Sequence, residues 1–375
     1  MPAPSGVSLM SPKFAILGAG LMGRLLAVSL ARLGHRVEVH EKGQSDAATS
    51  AAHVAAAMLA PLAESVVSEP LVVDLGIASL KRWPAVLETL PGPVFFQKQG
   101  TLVVWHPQDR DQAALFSSRL GLMDDRFVPE HRARSLDAAG IATLEPALEQ
   151  RFSRGLYLPE EGQLDNRAVL SALGLAMTNL QIPVYWGQES SPDSLSADWV
   201  IDCRGSGAKP NWPQVRGVRG EVLRVEARDI TLGRPIRLLH PRYPIYIAPK
   251  EAGIFVIGAT QIETEDTSPT SVRSALELLS ALYSVHPAFG EARILEMKAQ
   301  CRPALPDNLP GIRWNGERLI QINGLYRHGF MMAPAMLDAT LSLISNLVHK
   351  VPADWDSWRA AQPWPSLFHS VNTVS

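Results

Sequence analysis

Apolar residues begin as an unbroken run, Phe14-Ala-Ile-Leu17, with no polar position between them. A run without alternation reads as a strand buried on both faces, as in a parallel sheet covered by helices. The pattern then changes period. After Gly18-Ala-Gly-Leu-Met-Gly23, apolar residues recur at helical spacing over 21–33, and a second strand over 36–40 ends at Glu41. Strand, glycine turn, helix, strand and acid in that order form the arrangement that binds the ADP half of a dinucleotide. Gly18 permits the tight turn, Gly20 lets the backbone approach a pyrophosphate, and Gly23 allows close helix–strand packing. The pyrophosphate meets the free N–H groups of the helix N-terminus, where Leu21 and Met22 stand. Glu41, followed by Lys42, occupies the place of a ribose-binding carboxylate and disfavours a 2′-phosphate. This motif alone leaves NAD and FAD open, because both share the ADP half.

Further along, apolar spacing predicts a helix over 68–90, broken by Pro91-Gly-Pro93, then strand, turn (Gln99-Gly100) and strand over 94–105. Helices are expected over 110–120, 133–139 and 167–178, with short strands at 155–158, 184–186 and 199–202. The last of these ends in Cys203-Arg-Gly-Ser-Gly207, a second glycine-rich strand exit that adds Gly205 to the cofactor-binding candidates. Strands dominate from 215 to 258, followed by a helix over 272–283 whose core face is set by Leu276, Leu279 and residues 281–283. A strand over 318–323 precedes a closing helix over 331–348. The two glycine-rich exits predict an α/β (mixed α+β) chain with a Rossmann-like domain built from residues 11–90, 150–212 and 300–350. A mostly antiparallel substrate domain, from 91–149 and 213–299, is interleaved with it, and 351–375 forms a C-terminal tail.

Composition narrows the class. The 375 residues are 46% hydrophobic and 19% charged, the profile of a soluble globular enzyme, and the net charge of −2 gives no pull toward nucleic acid. Cys203 and Cys301, the two cysteines, make neither a disulfide framework nor a metal-ligand spacing, so no metal is expected. No segment reaches the roughly 18 uninterrupted apolar residues of a spanning helix, and residues 1–13 lack the features of a secretory signal. The expectation is a cytoplasmic protein with no integral membrane segment. Homo-oligomerisation stays open.

Three further stretches carry chemistry. In residues 49–61, Thr49 and Ser50 are candidate phosphate donors, and the small Ala56 and Ala57 beside Met58 let backbone approach a flat ring. In residues 300–310, Arg302 follows an apolar strand, where a guanidinium can hold a carboxylate at two points. A structural salt bridge with Asp307 is the competing reading. Tyr246 is either the hydroxyl partner of that carboxylate or a core aromatic. In residues 323–334, Gly324 and Gly329 flank Tyr326, Arg327 and His328 directly before Phe330 and the closing helix. The positive end of a helix there suits an electron-rich reduced flavin and has no purpose in a plain NAD enzyme, which favours FAD.

Taken in order, these stretches resemble the D-amino-acid oxidase family of flavoproteins, most closely its glycine oxidase branch linked to thiamine synthesis. The resemblance spans nearly the whole chain, from Phe14 to about Val348. It implies non-covalent FAD and oxidation of a small amine-bearing acid (glycine, sarcosine or a small D-amino acid). The imino product hydrolyses to an oxo acid, and molecular oxygen takes the electrons to give hydrogen peroxide. It also implies that Arg302 anchors the substrate carboxylate, that Tyr246 assists it, and that Arg327 lies in the loop closing the site. Ala57 departs from the glycine common in the family at that position, which bears on strict glycine oxidase activity. Two other activities fit the same motifs: a flavin dehydrogenase with an acceptor other than oxygen, and an accessory flavoprotein that modifies a partner protein.

Overall fold

The computed structural model describes residues 11–122, 132–349 and 354–370. The N-terminal residues 1–10 and parts of the expected tail, 351–353 and 371–375, lie outside the described residues.

Strand Lys13–Leu17 is the centre of a seven-stranded sheet. From one edge to the other its order is Phe368–Ser370, Gly311–Trp314, Leu319–Asn323, Trp199–Asp202, Lys13–Leu17, Arg36–Glu41 and Val184–Trp186. Five consecutive strands run parallel, and Gly311–Trp314 turns antiparallel. Helices Leu21–Arg32, Asn166–Asn179 and Gly329–Val348 pack on this sheet, so Phe14, Ala15 and Ile16 are fully buried. That double burial is why no polar residue interrupts the run. Gly329–Val348 also packs on Pro70–Glu88, where Trp83 Nε1 donates to the Phe330 carbonyl at 2.9 Å. By length and hydropathy Gly329–Val348 could cross a bilayer, yet its Phe330, Met332, Met336 and Leu343 are buried in the core.

The second sheet has eight strands, ordered Arg293–Ala304, Arg216–Glu226, Ile254–Gly258, Ile245–Pro249, Ile236–Leu239, Thr101–Trp105, Arg154–Leu158 and Arg134–Asp137. It is antiparallel except between Ile236–Leu239 and Thr101–Trp105. Its own core lies under helix Val272–Val285. A small three-stranded sheet joins Met58–Leu59, Gly162–Leu164 and Phe96–Gln97 between the two.

Several elements depart from the sequence pattern. The strands expected over 94–105 separate into different sheets, because Phe96–Gln97 pairs with Gly162–Leu164 while Thr101–Trp105 pairs with Arg154–Leu158. The helix expected over 133–139 starts later: Arg134–Asp137 is a strand, and Asp137 caps helix Ala138–Leu144 by accepting from Gly140 N at 2.8 Å. Helix Val272–Val285 turns Leu278, Ala281, Leu282 and Val285 inward, leaving Leu276 and Tyr283 60% and 57% exposed. The core face is set by the sheet beneath rather than by the most apolar residues. Within the expected tail, Phe368–Ser370 is an edge strand paired parallel with Gly311–Trp314.

Candidate active site

Strand Lys13–Leu17 ends at Gly18, and strand Trp199–Asp202 ends beside it at Cys203. Gly18 has φ of +91°, and a Cβ there would lie 2.9 Å from the Cys203 carbonyl oxygen. Glycine is therefore required both by conformation and by contact. Here the strand order diverges, the position at which open α/β sheets hold their ligands. Glu41 is fixed at the end of the neighbouring strand: its carboxylate accepts from Ala19 N at 2.6 Å and Gly43 N at 2.7 Å.

A single cavity of about 1200 Å³ runs from this turn to the eight-stranded sheet. That exceeds the roughly 300–1,000 Å³ of a usual small-molecule site. Gly18, Gly20, Leu21, Met22, Glu41, Lys42, Thr49, Ser50 and Gly205 line one end. Ala56, Ala57 and Met58 line its middle, and Tyr246, Arg302, Tyr326, Arg327, His328, Gly329 and Phe330 line the rest. Two expected cofactor contacts stand outside this wall. Gly23 abuts the Gly18 carbonyl, and Gly324 turns the chain beneath Leu309 and Leu305, so both glycines serve backbone packing.

Thr49 to Met58 is held from two directions. Gln300 Nε2 donates to the Thr49 carbonyl at 2.7 Å, and the buried Lys250 ammonium donates to the carbonyls of Ala56 and Leu164 at 2.9 and 2.8 Å. Burial pulls the Lys250 pKa down to about 7. Ser50 caps helix Ala51–Val54, and its Oγ stands 3.2 Å from where a Cβ on Gly20 would be. Ala57 has φ of +53°, the left-handed region that a side chain makes costly and glycine tolerates.

Arg302 lies inside strand Arg293–Ala304, not after it, and pairs with Val218 across the sheet. Both terminal nitrogens donate to the Thr260 carbonyl, at 3.1 and 3.2 Å. Among the described residues no carboxylate pairs with it, so the salt bridge to Asp307 does not form. Tyr246 faces the same cavity, its pKa raised by burial against the opposing charge of Arg302. Beneath these two side chains the strands carry glycine. A Cβ on Gly220 would lie 2.2 Å from Arg302 Nη2, and one on Gly258 2.5 Å from the Tyr246 hydroxyl.

Glu64, which ends helix Pro61–Glu64, collects three partners. Arg327 donates to it at 2.7 Å and Arg237 at 3.0 Å, and His328 Nε2 stands 2.9 Å from its carboxylate. Burial would raise this carboxyl, but Arg327 and Arg237 hold it well below the usual carboxylate range. Burial lowers the His328 pKa, with the Glu64 contact acting in the opposite sense. Glu64, Arg237, Gly220 and Gly258 escaped sequence reasoning. The one local signal was Glu64 as the first acid after the small-residue stretch that begins at Ala47.

The wall suits an extended dinucleotide: a glycine turn open to a diphosphate, a carboxylate pinned beside it, and small residues leading to a cationic end. This fold and site define an FAD-type dinucleotide-binding oxidoreductase. Residues 13–339 match the family model for FAD dependent oxidoreductases, so the chain belongs to that family. It is 42% identical over 324 residues to a thiamine biosynthesis oxidoreductase, ThiO, named from Rhizobium etli, covering 86% of this chain and 94% of that protein. It is 25% identical over 368 residues to a glycine oxidase of Geobacillus kaustophilus, covering 91% and 94%. The solved glycine oxidase structure from Geobacillus kaustophilus superposes with a TM-score of 0.76 at 23% identity, over 93% of this chain and 98% of that one. The chain is thus an enzyme with FAD as its cofactor.

Proposed function

We propose that this enzyme oxidatively deaminates glycine or a similarly small amine-bearing acid, with molecular oxygen as the electron acceptor and hydrogen peroxide as a product. The observation that carries this reading is the half-buried Arg302, which bonds one backbone carbonyl and no carboxylate among the described residues, in the same cavity as the Gly18–Glu41 turn. A guanidinium so placed keeps donors for a two-point grip on a substrate carboxylate, and the Tyr246 hydroxyl adds a third contact. Lys42, Thr49, Ser50 and Gly205 join Gly18, Gly20 and Glu41 around the ADP half, while residues 56–58 and 326–330 face the ring. FAD bound there supplies the two-electron acceptor chemistry.

The chain's own work is positional and electrostatic. Arg302 and Tyr246 fix the carboxylate. Arg302 and Arg327 surround the amine with positive charge, which lowers its pKa and favours the neutral form whose lone pair drives oxidation. Water hydrolyses the released imino acid to the oxo acid and ammonia. The ThiO-like sequence identity and the FAD family support this reading.

Anaerobic addition of glycine, sarcosine and small D-amino acids to the yellow protein tests it. Bleaching of the flavin band by at least one of them, then one peroxide per oxygen consumed when air returns, is the expected result. No bleaching by any of these acids would overturn the substrate, and reoxidation by a dye but not by air would overturn the acceptor. Arg302→Ala should raise KM for the carboxylate substrate at least about 100-fold, since each charge-assisted hydrogen bond contributes about 1.5–3 kcal/mol. Its flavin content should stay at the wild-type level.

A further inference from the structure

Arg24 follows the glycine turn on helix Leu21–Arg32, and its side chain is only 1% exposed. Among the described residues it pairs with no carboxylate. Instead, its guanidinium spends its donors on three backbone carbonyls from three places. Nε reaches Ala19 in the glycine turn at 2.7 Å, Nη2 reaches Ser45 in the loop after Glu41 at 2.8 Å, and Nη1 reaches Leu170 on helix Asn166–Asn179 at 2.8 Å. The Trp186 ring covers it, 5.6 Å from the guanidinium carbon.

The same residue, Ala19, therefore has both ends of its backbone fixed. Its N–H holds the Glu41 carboxylate and its carbonyl holds Arg24. We propose that Arg24 is a positioning residue for the ADP half of the cofactor, locking the glycine turn and the Glu41 loop into one anion-binding frame. This rests on the placement of the ADP half at the Gly18–Glu41 end of the cavity. Burial of this cation is costly, and although the nearby Glu41 and Asp46 carboxylates offset part of that cost, desolvation still outweighs them and lowers its pKa. The anionic diphosphate of the cofactor offsets that cost when it enters the adjacent turn, so the charge favours the loaded state over the empty one. A core arginine with a purely structural role would be matched by a carboxylate or replaced by an apolar side chain at little cost to binding.

Gly174 supplies an independent handle. A Cβ there would stand 2.8 Å from Arg24 Nη1, so Gly174→Ala must displace the guanidinium. Within helix Asn166–Asn179 the same change favours helix formation. Structural and binding effects thus have opposite signs. The experiment measures FAD and ADP affinity of the apoprotein, by flavin fluorescence and by calorimetry, with the apoprotein's Tm recorded alongside. Wild type, Gly174→Ala, Arg24→Lys and Arg24→Met are compared.

Gly174→Ala is expected to keep or raise the apoprotein Tm while raising Kd for both FAD and ADP about tenfold. Arg24→Met should raise both at least as much, and Arg24→Lys, which keeps the charge but not the three-way reach, less. KM for the amino acid in FAD-saturated protein should not move. Kd values within about twofold of wild type in Gly174→Ala would overturn the proposal, whether or not Arg24→Met folds. So would a Kd that rises only in step with a falling apoprotein Tm. A wild-type apoprotein that binds FAD but not ADP would instead refute the placement on which the proposal rests.

Discussion

Arg302 and Tyr246 lie flat against the eight-stranded sheet because Gly220 and Gly258 leave the space for them. The two glycines act by what they lack. At Gly220 a methyl group would overlap the guanidinium itself, at 2.2–2.7 Å from three of its atoms, with the strand backbone on both sides unable to give way. Gly220→Ala should therefore move Arg302 off its bond to Thr260 and raise KM for carboxylate substrates about tenfold or more, while FAD binding stays unchanged. Steady-state kinetics beside a flavin titration check this. Equal losses in KM and FAD affinity would mean that the sheet, and not Arg302, had been disturbed. Sequence pattern pointed to Arg302 and Tyr246 from their own surroundings, but not to the glycines beneath them. Their role exists only once strands Arg216–Glu226 and Arg293–Ala304 are paired.

Three elements meet at Glu64: the short helix it ends, strand Ile236–Leu239 through Arg237, and the turn opening helix Gly329–Val348 through Arg327 and His328. A carboxylate serving two partly buried guanidiniums contributes more than a surface pair, and losing its charge leaves both cations poorly compensated. Glu64→Gln should cost about 2 kcal/mol in chemical unfolding of the FAD-bound protein. It should also raise KM, because Arg327 loses the partner that aims it. Because the Glu64 pKa is depressed in the folded protein, its contribution is full above about pH 4.3, the unfolded value, and is lost only as pH falls below that. An unfolding free energy equal to wild type at pH 7 would show that the cluster does not brace these elements. The elements themselves were readable wherever apolar spacing was strong, as in Leu21–Arg32 and Pro70–Glu88. The strand expected before Arg302 was readable as apolar but not in its extent: it runs Arg293–Ala304 and includes Arg302, while its outer half exposes Ile294 and Leu295. Arg134–Asp137 and Phe368–Ser370 were missed for a related reason: short edge strands take their identity from the neighbour they join.

At the scale of the whole molecule, packing in the interior makes the Glu161 carboxyl hold its proton to higher pH. Glu161 is fully buried and accepts from Ala63 N at 2.6 Å. Burial pushes its pKa up to about 7, with the nearby negative Glu64 adding to the effect. Unfolded, the same group titrates near 4.3. Between those values the folded state binds the extra proton, so this group's stabilising contribution is full below about pH 4.3 and is lost as pH rises through 7. The shift corresponds to about 4 kcal/mol. Glu161→Gln, which keeps an acceptor for Ala63 N without a charge, should remove that slope and leave the protein more stable than wild type at pH 8. Unfolding free energies at pH 5 and pH 8 for both proteins measure it, and parallel pH dependences would refute it.

By itself, the sequence determined the nucleotide half of this protein. Gly18, Gly20 and Glu41 lie within one βαβ unit, where chain-local sterics and spacing fix the geometry. It also marked Arg302 and the start of the last helix, which carry their chemistry in adjacent residues. Only the tertiary structure decided how these ends share one cavity. The Glu64–Arg237 contact joins residues 173 positions apart, and the Glu64–His328 contact spans 264. Arg302 faces the cavity because strand pairing across the second sheet places Gly220 beneath it. Such contacts depend on how whole sheets stack, a cooperative outcome of packing that no local spacing of residues encodes.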